Sequence, residues 1–168
     1  MGLISYKTKL NHLNDRTKGY TQALTDHKIA ADKTLIKKVS LNHDATEITA
    51  AVKSLLSTPS VDAILFASNR IALHALKYIQ QTGIKIPDQV ELIGFDESEV
   101  FDFFQPQLSY VKQPMHQLGQ TATELLMDII TQNKKEQLVF VPSELIKRGS
   151  TSSASGRTSS QPSPKERE

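Results

Sequence analysis

Polar side chains follow four apolar segments of this sequence, at the point where each segment ends. Ligands of open parallel sheets bind beyond the carboxyl ends of the strands, so residues at such positions are the first candidates for a binding site. The candidates are Asn42, His43, Asn69, Asp96 and Gln113, together with Arg16, which lies early in the first predicted helix. We expect these side chains to gather on one rim of a sheet.

Amide, carboxylate and guanidinium groups offer hydrogen-bond donors and acceptors but no obvious nucleophile. Such a set suits a polyhydroxylated ligand such as a sugar, because Asp and Asn can each hold adjacent hydroxyls and Arg adds a charge-assisted donor. A structural role is the alternative: Asn69 could cap the helix that follows it, and Asp96 could stabilise a turn. The pattern alone leaves both interpretations open.

Signals of catalysis and of metal binding are poor. The chain has no cysteine, which excludes a thiol nucleophile, a disulfide framework and any cysteine metal site. It lacks the nucleophile-elbow, P-loop, dinucleotide-binding and zinc-protease motifs. The acidic run from Asp96 to Asp102 lacks the spacing of a calcium loop. We therefore expect no enzyme, no cofactor and no metal, with a paired-carboxylate hydrolase as the remote alternative.

The composition is that of one ordinary globular domain. The chain has 168 residues, of which 38% are hydrophobic and 23% charged, and its formal net charge is +2. This charge does not by itself indicate nucleic-acid or membrane binding. No apolar run approaches the ~20 residues that span a membrane, and the N-terminus lacks a secretory signal. From Gly149 onward the sequence is rich in Ser, Thr and Pro, which predicts a disordered tail.

Strand and helix patterns alternate before that tail. Strands are predicted at 2–5, 35–41, 62–67, 90–95, 108–113, 138–142 and 145–148. Helices are predicted at 15–29, from Ala45 to near Pro59, at 70–82 and at 115–131, the last with an apolar face of Leu118, Ala122, Leu125, Leu126 and Ile129. This alternation predicts an α/β domain with a parallel, Rossmann-like sheet.

Several motifs in order resemble one family. The segment VDAILFASNRIALHALKYIQQTGIKIPDQVELIGFDES, with DRTKGYTQAL before it and QPQLSYVKQPMHQLGQTATELL and VPSELIKRGST after it, is similar to the effector-binding domain of the lac repressor/galactose repressor family. The resemblance runs from about Gly2 to Thr151. It implies a subdomain of the periplasmic-binding-protein-like type, facing a ligand cleft, in a cytoplasmic transcription regulator that senses a sugar or nucleobase. The alternative is a solute-binding protein of a sugar transport system, which shares the fold.

The resemblance also implies roles for individual residues. Arg16, Asn69 and Asp96 match positions that contact the effector, and Gln113 matches a position near the hinge. Asn42 or His43 lies in a loop that supplies a variable contact. Two residues depart from the family pattern: Arg70 stands where an Asp is usual, and Glu97 replaces the second Asp of the Gly-Phe-Asp-Asp motif.

By the same resemblance, the chain divides into residues 1–114, the C-terminal effector-binding subdomain, and 115–137, a helix belonging to an N-terminal subdomain. Residues 138–150 would form closing strands and 151–168 a disordered tail. The sequence would be truncated at its N-terminus, so the DNA-binding headpiece, the hinge helix and the rest of the N-terminal subdomain would be missing. DNA would then be bound only through the absent headpiece.

Aromatic residues follow Asp96 closely. The resemblance implies a homodimer whose interface includes His74, Phe101 and Phe104, and Phe103 is a further anchor of the same segment. The alternative is an ordinary core role for one or two of these phenylalanines, because buried Phe is common.

Overall fold

A computed structural model describes residues 1–42, 45–132 and 138–152. The strands are β1 (Gly2–Lys7), β2 (Ile36–Ser40), β3 (Ala63–Phe66), β4 (Glu91–Phe95), β5 (Ser109–Lys112) and β6 (Glu144–Ile146). The helices are α1 (Asn11–Asp26), α2 (Ala45–Leu56), α3 (Asn69–Ile79) and α4 (Met115–Gln132), with short 3-10 turns at Lys33–Leu35 and Glu99–Asp102.

The strands form one sheet in the order β2-β1-β3-β4-β5-β6. The first five strands are parallel, and β6 pairs antiparallel with β5 at the edge. Parallel strands joined through helices place their carboxyl ends along one edge. The predicted α/β, parallel, Rossmann-like fold is therefore confirmed, and the residues after β3, β4 and β5 lie side by side.

The two faces of the sheet are covered unequally. The larger core cluster includes Ile48, Val52 and Leu55 of α2 and Ile71 and Ile79 of α3. The smaller cluster lies under α1 and consists of Leu3, Tyr20, Leu24 and Ala67. Most of the hydrophobic stabilisation therefore comes from the α2/α3 face, since it scales with the apolar area removed from water.

Gly94 shows how tightly that larger cluster packs beneath the strand carrying the candidate site. A Cβ atom on Gly94 would lie 2.9 Å from Cδ2 of Leu108 and 3.4 Å from Cε2 of Phe101. Both neighbours are fully buried. Glycine is therefore required here by close packing.

The predicted boundaries were wrong at several places. Helix α1 begins at Asn11 rather than residue 15, and α3 ends at Ile79 rather than residue 82. Helix α1 also ends at Asp26 rather than residue 29, because Lys28 adopts a left-handed backbone with φ 59°. Residues 138–142 form no strand, because β6 takes the edge of β5. The tail does not begin at Gly149, since Ser150 is fully buried and its Oγ donates to the Leu92 carbonyl at 2.6 Å. Residues 153–168 of the predicted tail lie outside the described residues.

Helix α4 forms as predicted but does not bury its apolar face. No residue of α4 is buried among the described part of the chain. Leu126 is 56% exposed and Ile130 is 68% exposed. The helix thus leaves much of its apolar face exposed among the described residues.

Candidate ligand-binding site

Asp96 sits at the carboxyl end of β4 in an uncommon backbone conformation. Its φ is 72°, in the left-handed region that non-glycine residues rarely occupy and that Asn and Asp tolerate best. Its N–H donates to the Val111 carbonyl at 3.0 Å, so the last step of the β4–β5 ladder holds this conformation. Strained residues of this kind cluster at functional sites.

Arg16, on α1, fixes the Asp96 carboxylate. Its Nη1 donates to Oδ2 at 3.1 Å and its Nη2 to Oδ1 at 3.3 Å, which is a bidentate pair. Nη1 also donates to the Ala67 carbonyl at 2.8 Å, and the guanidinium lies 3.8 Å from the centre of the Phe95 ring. One arginine therefore ties α1 to the ends of β3 and β4.

Gln113 and Asn69 complete the cluster. Gln113 Nε2 donates to Oδ1 of Asp96, from the end of the adjacent strand. Asn69 is the first residue of α3, and the N-cap is Ser68, whose side chain makes no capping bond. The Ser68 hydroxyl lies 3.3 Å from that of Tyr6 instead. The capping alternative for Asn69 is therefore wrong, and Asp96 directs its carboxylate to Arg16 and Gln113 rather than only to its own turn.

These residues border a cleft of about 640 Å³. This volume lies within the range of small-molecule sites, roughly 300–1,000 Å³. The cleft is lined by Asn69, Asp96, Glu97, Ser98, Glu99, Asp102, Tyr110, Gln113, Met115 and Arg148. Three of the predicted side chains thus line one cleft, with Arg16 holding Asp96 from the α1 side.

A second set of contacts beside the cleft joins Glu97 to β5. Tyr110 Oη donates to Glu97 Oε1 at 3.1 Å, and Lys112 Nζ donates to the same oxygen at 3.2 Å. Tyr110 and Lys112 are two residues apart on one strand and so face the same side of the sheet. The hydrogen bonds from Lys112 and Tyr110 hold the pKa of Glu97 below its ordinary value, while burial, followed by the Glu97 bond, raises the pKa of Tyr110.

Arg148 closes the cleft beyond β6. Its Nη1 donates to the Asp102 carboxylate, and its guanidinium lies 5.0 Å from the centre of the Tyr110 ring. Tyr110 and Arg148 were missed from the sequence. Tyr110 looks like an interior residue of a buried strand, and the position of Arg148 depends on β6 joining the sheet. The alternation of side chains along β5 puts Tyr110 on the same face as Lys112, and this is the sequence signal that points to Tyr110.

The remaining candidates are not part of this cluster. Asn42 is exposed in the turn after β2, an edge strand separated from β4 by β1 and β3, and it does not line the cleft. His43 lies outside the described residues. Within the described ranges, no group of acidic or histidine side chains has the arrangement of a metal site. None of the described helices is long and apolar enough to cross a membrane.

The residues predicted for an interface divide between core and surface. Phe101 is fully buried and Phe104 is 4% exposed, both in the larger core cluster, so the core alternative describes them. A fully buried Phe101 has no surface to offer a partner. Phe103 is 82% exposed and His74 is half-buried on α3. The dimer interface stays a prediction, for which Phe103 supplies the exposed aromatic surface.

Comparison with known proteins decides the family. Residues 1–151 match the periplasmic binding protein-like domain. The chain belongs to this family. The HTH-type transcriptional repressor PurR of Vibrio atlanticus is 32% identical over 126 residues, which are 75% of this chain and 37% of that protein. The HTH-type transcriptional regulator CelR of Thermobifida fusca is 32% identical over 128 residues, 76% of this chain and 37% of that protein.

Solved structures agree with this assignment. A transcriptional regulator CelR–cellobiose complex superimposes with a TM-score of 0.77 at 28% identity, covering 89% of this chain and 46% of the other. The transcription regulator CcpA of Lactococcus lactis gives a TM-score of 0.76 at 25% identity, covering 90% of this chain and 55% of the other. The resemblance to the lac repressor/galactose repressor family is confirmed, and these relatives favour a regulator domain over a transport protein. The chain spans about 37% of the length of the curated relatives it matches.

Proposed function

We propose that this chain is the effector-sensing module of a DNA-binding transcription regulator and that its effector is a sugar. The observation that carries the proposal is the convergence of Asn69, Asp96 and Gln113 on one cleft, with Arg16 bonding both oxygens of Asp96. A carboxylate oriented in this way presents fixed acceptors to ligand hydroxyls. The cellobiose complex of the relative CelR supports the sugar class over a nucleobase.

In the whole regulator, this chain works together with a second subdomain and a DNA-binding headpiece. Residues 1–114 form the effector-binding subdomain, and α4 with the residues up to 137 belongs to a second subdomain on the other side of the cleft. The exposed apolar side chains of α4 support this division, because such a stripe is expected to pack against another element. DNA recognition lies in a separate headpiece, and the module works in the cytoplasm as a homodimer without enzymatic activity.

Thermal melting with a panel of neutral sugars, including cellobiose, tests the proposal. A ligand present at about 100 times its Kd stabilises the folded state by about 2.7 kcal/mol. We expect at least one sugar to raise the Tm of the wild type, and Asp96→Ala to abolish that shift. Asp26→Ala, which removes an exposed carboxylate near the end of α1, is the control and should keep it. A shift that persists in Asp96→Ala would contradict the site.

A further inference from the structure

The charges that line the cleft are strongly unbalanced. Four carboxylates reach it, from Asp96, Glu97, Glu99 and Asp102, against a single cation, Arg148. The four carboxylates arise from the segment that follows β4, and Arg148 lies two residues beyond β6. A ligand entering the cleft therefore meets mainly hydrogen-bond acceptors with negative charge.

The cations that balance these acids are placed behind them or are already engaged. Arg16 bonds Asp96 and Lys112 bonds Glu97, but neither Arg16 nor Lys112 is among the residues that line the cleft. Arg148 is paired with Asp102. Glu99 makes no ion pair with another residue of the described ranges. The arrangement fixes the carboxylates of Asp96, Glu97 and Asp102, while Arg16 and Lys112 stay outside the lining of the cleft.

Glu97 is the carboxylate whose position is best defined after Asp96. Both bonds that hold it, from Tyr110 and Lys112, go to Oε1. No other hydrogen bond to Glu97 arises from the described part of the chain, so Oε2 is left to accept from a ligand. The carboxylate is 54% exposed, and it lines the same cleft as Asn69 and Asp96. It is also a position at which the sequence departs from the Gly-Phe-Asp-Asp pattern.

We propose that Glu97 is a specificity-determining residue of the cleft, which accepts hydrogen bonds from an uncharged, hydroxyl-rich ligand and excludes its phosphorylated counterpart. Two physical effects combine in this selection. Oε2 supplies an acceptor that a hydroxyl can use and a phosphate oxygen cannot. The negative charge of Glu97 also repels a phosphate dianion at short range, where screening by salt is weakest. The inference rests on the proposed effector-binding function.

Titration calorimetry with three matched pairs of ligands tests this inference. The pairs are glucose and glucose 6-phosphate, galactose and galactose 6-phosphate, and cellobiose and cellobiose 6′-phosphate. For a pair whose neutral member binds, we expect the wild type to prefer that member at least tenfold. Glu97→Gln should reduce the ratio of neutral to phosphorylated affinity about tenfold, because one charge facing the phosphate is removed. Glu97→Asp keeps the charge and should keep the exclusion.

The control variant is Glu124→Gln, which removes the same charge from an exposed position on α4 that does not line the cleft. It should leave the ratio of affinities unchanged. The inference is overturned, and the proposed function left intact, by one combination of results. In that combination, Glu97→Gln keeps the ratio of neutral to phosphorylated affinity within twofold of the wild type, and Asp96→Ala loses neutral-sugar binding. Equal or tighter binding of the phosphorylated members by the wild type also overturns it. Absence of binding by every pair counts against the sugar-sensing function itself.

Discussion

Replacing Arg16 by methionine should destabilise the fold far more than replacing a typical surface cation. The Arg16 side chain is 12% exposed and that of Asp96 is 27% exposed. Their ion pair therefore lies between exposed pairs, which contribute about 0–1 kcal/mol, and buried ones, whose disruption costs about 3–5 kcal/mol. Methionine keeps apolar volume beside Phe95 but removes the charge that bonds Asp96 and Ala67.

The expected magnitude follows from these contacts. The Ala67 carbonyl loses a donor at 2.8 Å, which costs about 1 kcal/mol. The cation above the Phe95 ring contributes about 0.5–2 kcal/mol. With partial solvent screening of the ion pair, we expect Arg16→Met to lower the free energy of unfolding by about 2–4 kcal/mol. Asp96→Asn, which keeps an acceptor for Gln113, should cost about 1–2 kcal/mol.

Urea unfolding followed by circular dichroism measures these changes, with m-values compared to confirm that the compactness of the unfolded state is unaltered. The double variant Arg16→Met/Asp96→Asn should show a coupling free energy of about 1–2 kcal/mol between the two substitutions, because the two side chains contact each other. Lys18→Met on the same helix is the control. The Lys18 side chain is 77% exposed and that of its partner Asp15 is 60% exposed, so their ion pair should contribute about 0.5 kcal/mol or less. An Arg16→Met cost no larger than that of Lys18→Met would refute the reasoning.

Four further outcomes follow from named contacts. Ser150→Ala removes the bonds of a buried hydroxyl to the Leu92 carbonyl and the Ser109 N–H, and should cost about 2–3 kcal/mol in urea unfolding. Gly94→Ala forces a Cβ against Leu108 and should cost about 1–3 kcal/mol in the same assay. The folded-state pKa of Glu97 is lowered, so the ionised carboxylate contributes to stability above the ordinary glutamate pKa, and this contribution is lost as pH falls through the lowered value. Glu97→Gln removes this contribution, so the Tm of the variant should fall less steeply on acidification than the Tm of the wild type. The chain should self-associate at micromolar concentration through α4, and Leu126→Gln with Ile130→Gln should reduce the association seen by light scattering.

Each of these predictions has a control in the chain. Ser60→Ala alters an exposed hydroxyl in the turn before β3 and should change the free energy of unfolding by less than about 0.5 kcal/mol. Gly119→Ala, on α4 with no atom within 4 Å of the added methyl group, should be neutral or stabilising. Glu124→Gln should leave the acid limb of the Tm profile as in the wild type. Thr123→Ala, on exposed α4, should leave the association intact.

The fold was predictable because its apolar runs and helical stripes are regular. The run 62–67 became β3 and the stripe containing Ala72, Ala75 and Ile79 became the buried face of α3. Helix α4 shows the limit of such patterns. Its stripe of leucines and isoleucines is identical in kind to that of α3, yet none of it is buried in the described chain, because periodicity records which face seeks burial and not what covers it.

Apart from Arg16 on α1, the candidate site was predictable where a polar residue lies just beyond the end of a strand. That rule found Asn69, Asp96 and Gln113, since neighbouring parallel strands end together. It also selected Asn42, which follows an edge strand remote from the others. Tyr110 and Arg148 could not be found in this way. Tyr110 lies inside β5 rather than after it, and the position of Arg148 depends on the pairing of β6 with β5, between segments distant in sequence.

The buried hydroxyl of Ser150 also constrains the order in which the domain is completed. It bonds residues 41 and 58 positions earlier in the chain, near the amino-terminal ends of β5 and β4. Contacts of such long sequence separation form slowly, because the intervening loop must close first. During synthesis, β4 and β5 will have left the ribosome well before β6 and Ser150 emerge, and until then the outer edge of β5 is uncovered. A nascent chain stalled before residue 144 should therefore be more sensitive to protease at β5 than one stalled well past residue 152, where the sheet can be closed.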